Sequence, residues 1–186
     1  AMYISEVPFW THRILWQLLF SGKFDRFENL RYAVVECGSY WIGDLLWKTD
    51  VNFGASWKIK KMGSRMKGLI TRLPSEYFGT NVFIGASTMS TEEIRRRHVN
   101  GIDALMWGTD YPHPEGSWPK TRERLENDFQ DVSIEDTRLL LGLNAIDCYG
   151  LDEAGLRVVA DRVGPTPEQL GQSPDLRTPA DAVETA

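Results

Sequence analysis

Three short apolar runs, Arg31–Glu36, Asn81–Gly85 and Ala104–Trp107, are set apart by stretches patterned for helix. That alternation constrains the fold more than any other feature, because strands alternating with helices build βα units and a parallel sheet. Thr11 is placed to cap a helix over Arg13–Ser21, with Ile14, Leu15, Leu18 and Leu19 on one face and Ser21-Gly22 as its stop. Cys37-Gly38-Ser39 reads as the turn after the first strand, and Tyr40–Lys48 as the helix that follows. The amphipathic stretch Trp57–Leu73 is interrupted by Gly63 and Gly68, which weakens a helix there, and its lysines and arginines form a solvated face.

Ser90-Thr91-Glu92-Glu93 is a capping box opening a helix that carries Ile94 to Val99. Thr121–Phe129 is a further helix, and Ser133 caps another that runs to about Cys148. Two α/β architectures satisfy this order. A small doubly wound sheet is poorly served by three strands, and no glycine-rich nucleotide loop follows the first of them. The other is part of a (β/α)8 barrel, which takes about 250 residues when complete. The chain has 186 residues. The expectation is therefore the C-terminal part of a TIM barrel, about strands six to eight, over residues 1–170, with the earlier strands upstream. Residues 171–186 are polar and proline-bearing, and are expected to be a disordered tail.

The balance of 26 acidic to 21 basic residues gives a net charge of −5, and no basic patch is interleaved with aromatics, which argues against a nucleic-acid partner. No apolar run approaches the ~20 residues of a membrane span. Cys37 and Cys148 stand far apart in apolar surroundings and are expected to be buried free thiols, a usage that suits a reducing cytoplasm.

The third apolar run leads into Gly108-Thr109-Asp110-Tyr111-Pro112-His113-Pro114-Glu115-Gly116-Ser117-Trp118-Pro119. An Asp just past a strand's end, with a His and a Glu within five residues of it, stands where metal and substrate chemistry sits in α/β proteins. Pro112 and Pro114 fix φ on alternate residues and hold the intervening side chains in few poses.

Several motifs in order give a family resemblance. They are Phe9-Trp10-Thr11-His12-Arg13, Gly22-Lys23-Phe24-Asp25-Arg26-Phe27-Glu28-Asn29-Leu30, Val35-Glu36-Cys37-Gly38, and Pro74-Ser75-Glu76-Tyr77-Phe78. Gly108–His113, Gly142-Leu143-Asn144-Ala145 and Val163-Gly164-Pro165-Thr166-Pro167 complete the series. From about Glu6 to Leu170 the chain resembles the C-terminal half of the amidohydrolase-2 family, metal-dependent barrel hydrolases and decarboxylases related to aminocarboxymuconate-semialdehyde decarboxylase. The resemblance implies one divalent metal, zinc first among candidates. Its ligands are a His-x-His or Glu-x-His pair on the first strand, a His after the fifth and an Asp after the eighth. Asp110 matches the last of these, and the others have no counterpart here. Glu36 stands where several members carry a His after strand six.

On that footing Asp110 is expected to be metal ligand and proton-shuttling base, the competing role being a turn or cap Asp. His113 titrates near neutral pH and either contacts substrate or orients Asp110. Glu115 reads as a carboxylate that organises the loop, within reach of substrate. Glu36, at the end of its strand, meets substrate or forms a salt bridge, and His12 lines the barrel mouth or sits as a surface or capping residue. Of the aromatics, Tyr111 and Trp118 are expected beside the site, and His98, among Arg95, Arg96 and Arg97, is expected in solvent. The implied reaction is metal-assisted hydrolysis of a carbon–heteroatom bond in a small organic substrate. The rivals are a non-oxidative decarboxylase and a catalytically silent piece that needs a partner for its missing half, with a homo-oligomer as the other possible assembly.

Overall fold

The structure is a computed structural model that describes residues 2–56 and 68–172. Its centre is a three-stranded sheet in the order β1-β2-β3, where β1 is Tyr32–Val35, β2 Val82–Ser87 and β3 Leu105–Gly108. Both pairings are parallel, with Val34 opposite Ile84 and Ile84 opposite Leu105. All three strands lie where the apolar runs predict them, with β2 continuing two residues further, through Ala86 and Ser87.

The period-two alternation of each strand sorts its side chains between two faces. Val34, Ile84, Ala86 and Leu105 join the main core with Leu15, Leu19, Ile42, Ile94, Leu125, Phe129 and Leu140 from the surrounding helices. On the opposite face Phe83 and Met106 pack with Ala33 against Ala145 and Cys148. The Asn144 amide holds that second layer in place by donating to the carbonyls of Ile102 and Leu105, each at 2.7 Å. Each fully buried aliphatic or aromatic side chain in these layers contributes about 1.5–3 kcal/mol. Cys37 and Cys148 are both buried and free, as expected.

The helices are α1 Met2–Leu19, α2 Lys23–Arg26, α3 Ile42–Ser56, α4 Thr91–Arg95, α5 Thr121–Phe129, α6 Ile134–Arg138, α7 Asn144–Tyr149 and α8 Glu153–Val163. Both predicted caps form: Ser90 and Glu93 make the reciprocal box, and the Ser133 hydroxyl accepts from the Asp136 amide at 3.1 Å. A π-turn over Leu139–Leu143 joins α6 to α7, so the helical run from Ser133 reaches Tyr149 much as expected.

Several details differ from the sequence reading. Thr11 lies inside α1 and does not start it, since the helix already runs from Met2; its hydroxyl accepts from the Cys37 thiol at 3.3 Å. Helix α3 begins at Ile42 and continues past Lys48 to Ser56, with the Thr49 hydroxyl bonded back to the Leu45 carbonyl. Helix α4 stops at Arg95, short of Val99, and the chain turns there to bury Arg97 against Asp136. His98 is not simply solvated either, since its Nε2 lies 2.9 Å from the same carboxylate. Helix α8 has no counterpart in the sequence reading, and none of its residues is buried.

The predicted helix over Trp57–Leu73 falls on residues 57–67, which lie outside the described ones, and 68–73 carry no helix. Most of the expected tail, residues 173–186, lies outside them as well. Gln172 is buried, and its amide donates to the carbonyls of Phe129 and Val132 and to the Thr137 hydroxyl. No helix among the described residues is long and apolar enough to cross a membrane.

Candidate active site at the strand ends

The residue that leaves each strand at its carboxyl end is bent the same way. Glu36 follows β1 with φ 57°, Thr88 follows β2 with φ 48°, and Asp110 lies two residues past β3 with φ 59°. This left-handed region is uncommon for any residue with a Cβ and a true outlier for a β-branched one. Such strain, of order 1–3 kcal/mol per residue, persists only where the surroundings over-determine it, and it gathers at functional sites. Here the ladder continues past the strands to hold it. The Glu36 amide donates to the Gly85 carbonyl and the Thr88 amide to the Gly108 carbonyl, both at 3.0 Å.

The loop after β3 closes on itself. The Ser117 amide donates to the Thr109 carbonyl at 2.9 Å, the His113 amide to the Asp110 carbonyl at 2.8 Å, and the Gly116 amide to the His113 carbonyl at 3.0 Å. A Cβ on residue 116 would stand 2.8 Å from the Thr109 carbonyl oxygen and 3.0 Å from those of Asp110 and His113, so only glycine lets the loop close. Closure brings one donor atom each from Asp110, His113 and Glu115 within 4.8 Å of one another.

His113 Nδ1 lies 3.0 Å from Glu115 Oε1, and both side chains are exposed. The hydrogen bond to Glu115 holds the imidazole pKa above its usual value, helped by the charges of Glu115, Asp110 and Glu36. The Glu115 carboxyl is held low, first by a backbone N–H and then by His113. With Nδ1 committed to Glu115, Nε2 is the nitrogen left open to a ligand. The charged pair therefore tightens the loop below pH 6.5, the unshifted value, down to the acid range where Glu115 takes up a proton, and fades as the pH rises through the higher folded pKa. NMR titration of the metal-free protein should place the His113 midpoint above 6.5, and Glu115→Gln should bring it back down. A parent midpoint at or below 6.5 would contradict the pairing.

Tyr111 and Trp118 flank the cluster as an exposed edge-to-face pair, ring centroids 5.8 Å apart. Glu36 forms no ion pair among the described residues, so the structural alternative of a salt bridge has no support. His12 is not one of the clustered donors. Its ring lies over Trp41 with centroids 3.7 Å apart, burial lowers its pKa, and its buried Nε2 has no hydrogen-bond partner among the described residues. Trp41 in turn donates from Nε1 to the carbonyls of Cys37 and Gly38, which ties His12 to the loop that follows Glu36. The sequence reading overlooks Thr88 and Gly116. A β-branched residue one step past a strand gives no signal of a positive φ, whereas Gly116, between Glu115 and Ser117 in a proline-rich loop, could have been read as a closure point.

An acid–base cluster at the carboxyl ends of parallel strands, on loops that lead into helices, is the site plan of α/β barrel enzymes. The chain belongs to the amidohydrolase family, whose profile matches residues 11–151. No protein of curated function matches it. The family typically binds a divalent metal, and the donors here fit one. Two carboxylate oxygens and an imidazole nitrogen are ligands that zinc and similar cations accept, and they lie close enough to converge on a single ion.

Proposed function

We propose that this chain forms strands six to eight of an amidohydrolase-type (β/α)8 barrel, and that the site hydrolyses a carbon–heteroatom bond of a small organic substrate. The observation that carries the reading is the convergence of Asp110, His113 and Glu115 on a braced loop at the end of β3. Among the described residues β1 and β3 each pair on one side only, which is what a segment of a closed barrel shows before its neighbouring strands are added. Those strands come from the rest of the same protein or from a partner.

Asp110 would hold a zinc-type cation, with His113 and Glu115 in reach. When bound, such an ion polarises a substrate carbonyl and makes water acidic enough to give up a proton near neutral pH. The Asp110 carboxylate accepts that proton and returns it to the leaving group. His113, with Nδ1 bonded to Glu115, leaves Nε2 to hydrogen-bond an oxygen of the substrate. Tyr111 and Trp118 hold the substrate's apolar body, and Glu36 contacts a polar substituent from the end of β1, across β2 from the cluster. His12, stacked on Trp41, supports the Glu36 loop from behind.

The test loads the complete protein with zinc and screens small esters, amides and carboxylic acids in 18O-labelled water. Zinc-dependent incorporation of 18O into product is the expected result. Carbon dioxide release without incorporation would replace hydrolysis by decarboxylation, and no zinc-dependent turnover of either kind would remove the proposal.

A further inference from the structure

The Glu93 carboxylate does more than cap its helix. Oε2 accepts from the backbone N–H of Ser90 and from its hydroxyl, both at 2.9 Å, which completes the capping box of α4. A capping box needs nothing further from this side chain. Yet Oε1 reaches into the loop after β1, where it accepts from the Ser39 backbone N–H and from the Ser39 hydroxyl, the latter at 3.0 Å. Ser39 is fully buried. Gly38 has φ 60°, and a Cβ there would crowd the site, 3.0 Å from the Tyr40 ring and 3.1 Å from that same Oε1. On the other flank, Trp41 Nε1 binds the carbonyls of Cys37 and Gly38. The four residues Glu36–Ser39 are thus pinned from both sides.

Glu36 needs that restraint. It sits in the left-handed region, is exposed, and has no ion pair among the described residues to orient it. Where its side chain starts from is set by its backbone. Thr88, the strained residue at the end of β2, lies two residues before Ser90, on the segment that Glu93 holds from its other oxygen. One carboxylate therefore joins the exit of β1 to the exit of β2. We propose that Glu93 is a positioning residue, a clasp that fixes the Glu36 loop against the loop after β2 and so sets where Glu36 stands at the mouth of the site. Its role in catalysis rests on the function proposed above, whereas the clasp itself does not. The carboxyl is suited to such a role, because the bonds from Ser90 and Ser39 outweigh the effect of burial, which alone would raise its pKa, and keep it ionised.

Glu93→Gln separates the clasp from the cap, because glutamine serves equally well at this position of a capping box but loses the charge that strengthens the bonds to Ser39. Amide hydrogen exchange in the complete protein is expected to speed up roughly ten- to hundredfold at Ser39, the loss expected for a bond to a charged group. Glu36 is expected to follow, and the α4-associated amides of Ile94 and Arg96 to stay as they were. Ser39→Ala, which removes only the hydroxyl bond, should give a smaller change at the same amides and serves if Glu93→Gln does not fold. Unchanged exchange at Glu36 and Ser39, or equal acceleration at Ile94 and Arg96, overturns the proposal.

The functional arm uses zinc-loaded protein and p-nitrophenyl acetate. Glu93→Gln should raise KM more than it lowers kcat, because Glu36 contacts the substrate, and should have little further effect in a Glu36→Gln background, since the two act as one unit. Additive losses in that cycle would also overturn the proposal. Absence of zinc-dependent hydrolysis in the parent would count against the proposed function alone and leave the exchange result to decide on Glu93.

Discussion

Asp110→Asn is expected to lower turnover of the zinc-loaded protein at least about a hundredfold while the fold survives. Asparagine keeps the volume and one acceptor oxygen but gives up the charge and the ability to take a proton, and general base work alone is worth about 10²–10⁴ in rate. The backbone should tolerate the exchange, because Asn is one of the few residues enriched at a positive φ such as the 59° found here. The main-chain bond from the His113 amide to the residue 110 carbonyl is also unaffected by the change of side chain. Steady-state rates should be read beside circular dichroism and metal content. Near-normal turnover with metal retained would remove Asp110 from the centre of the proposed chemistry.

The largest effect on stability is expected far from that site, at Asp136. Its carboxylate is buried and lies 2.7 Å from Arg97 Nε and 2.9 Å from His98 Nε2. Asp136→Ala leaves the Arg97 guanidinium buried with only the Ile94 carbonyl, 3.1 Å away, among its described partners. Breaking a buried pair from one side costs about 3–5 kcal/mol, because a charge stays in the interior without its counterion. Set against a typical total of about 5–15 kcal/mol, that is enough to leave much of the protein unfolded at 37 °C if the total lies near the lower bound. The urea midpoint should fall by at least about 1 M, given slopes of about 1–3 kcal/mol per molar. Replacing both partners by apolar residues, Arg97→Met with Asp136→Leu, should cost far less, since no uncompensated charge remains. A loss below about 1 kcal/mol in Asp136→Ala would mean that water reaches the pair.

This same pair marks where the amino-acid pattern stops being legible. Arg95, Arg96 and Arg97 form a run of like charge that reads as a solvated face, and only the partner 39 residues further on shows that the third of them points inward. Separation of that kind leaves no local trace. The strands are legible because their signal is local: each is an apolar run bounded by polar or glycine residues. The caps at Ser90 and Ser133 are legible for the same reason, a hydroxyl three residues before its acceptor or donor. Thr11 misleads because a threonine is as compatible with a helix interior as with a cap, and the helix runs on upstream of it to Met2. Helix α8 escapes notice because its apolar residues meet no described core: Leu156, Val158, Val159 and Val163 all remain exposed. At the site, the spacing of Asp110, His113 and Glu115 already suggests a shared loop, but their convergence depends on backbone closure at Gly116. The second role of Glu93 is hidden behind its first, since a capping box accounts for the residue completely until the other oxygen is followed.

The bent exits of the three strands carry a consequence for how the protein can change over time. Glycine would relieve the backbone at Glu36, Thr88 and Asp110 without disturbing the ladder, so these are positions where a mutation can make the molecule sturdier by erasing side chains at the mouth. Improvement in endurance and retention of chemistry pull in opposite directions there. A lineage selected only to survive heat would drift toward glycine at all three strand ends and lose the side chains now held there.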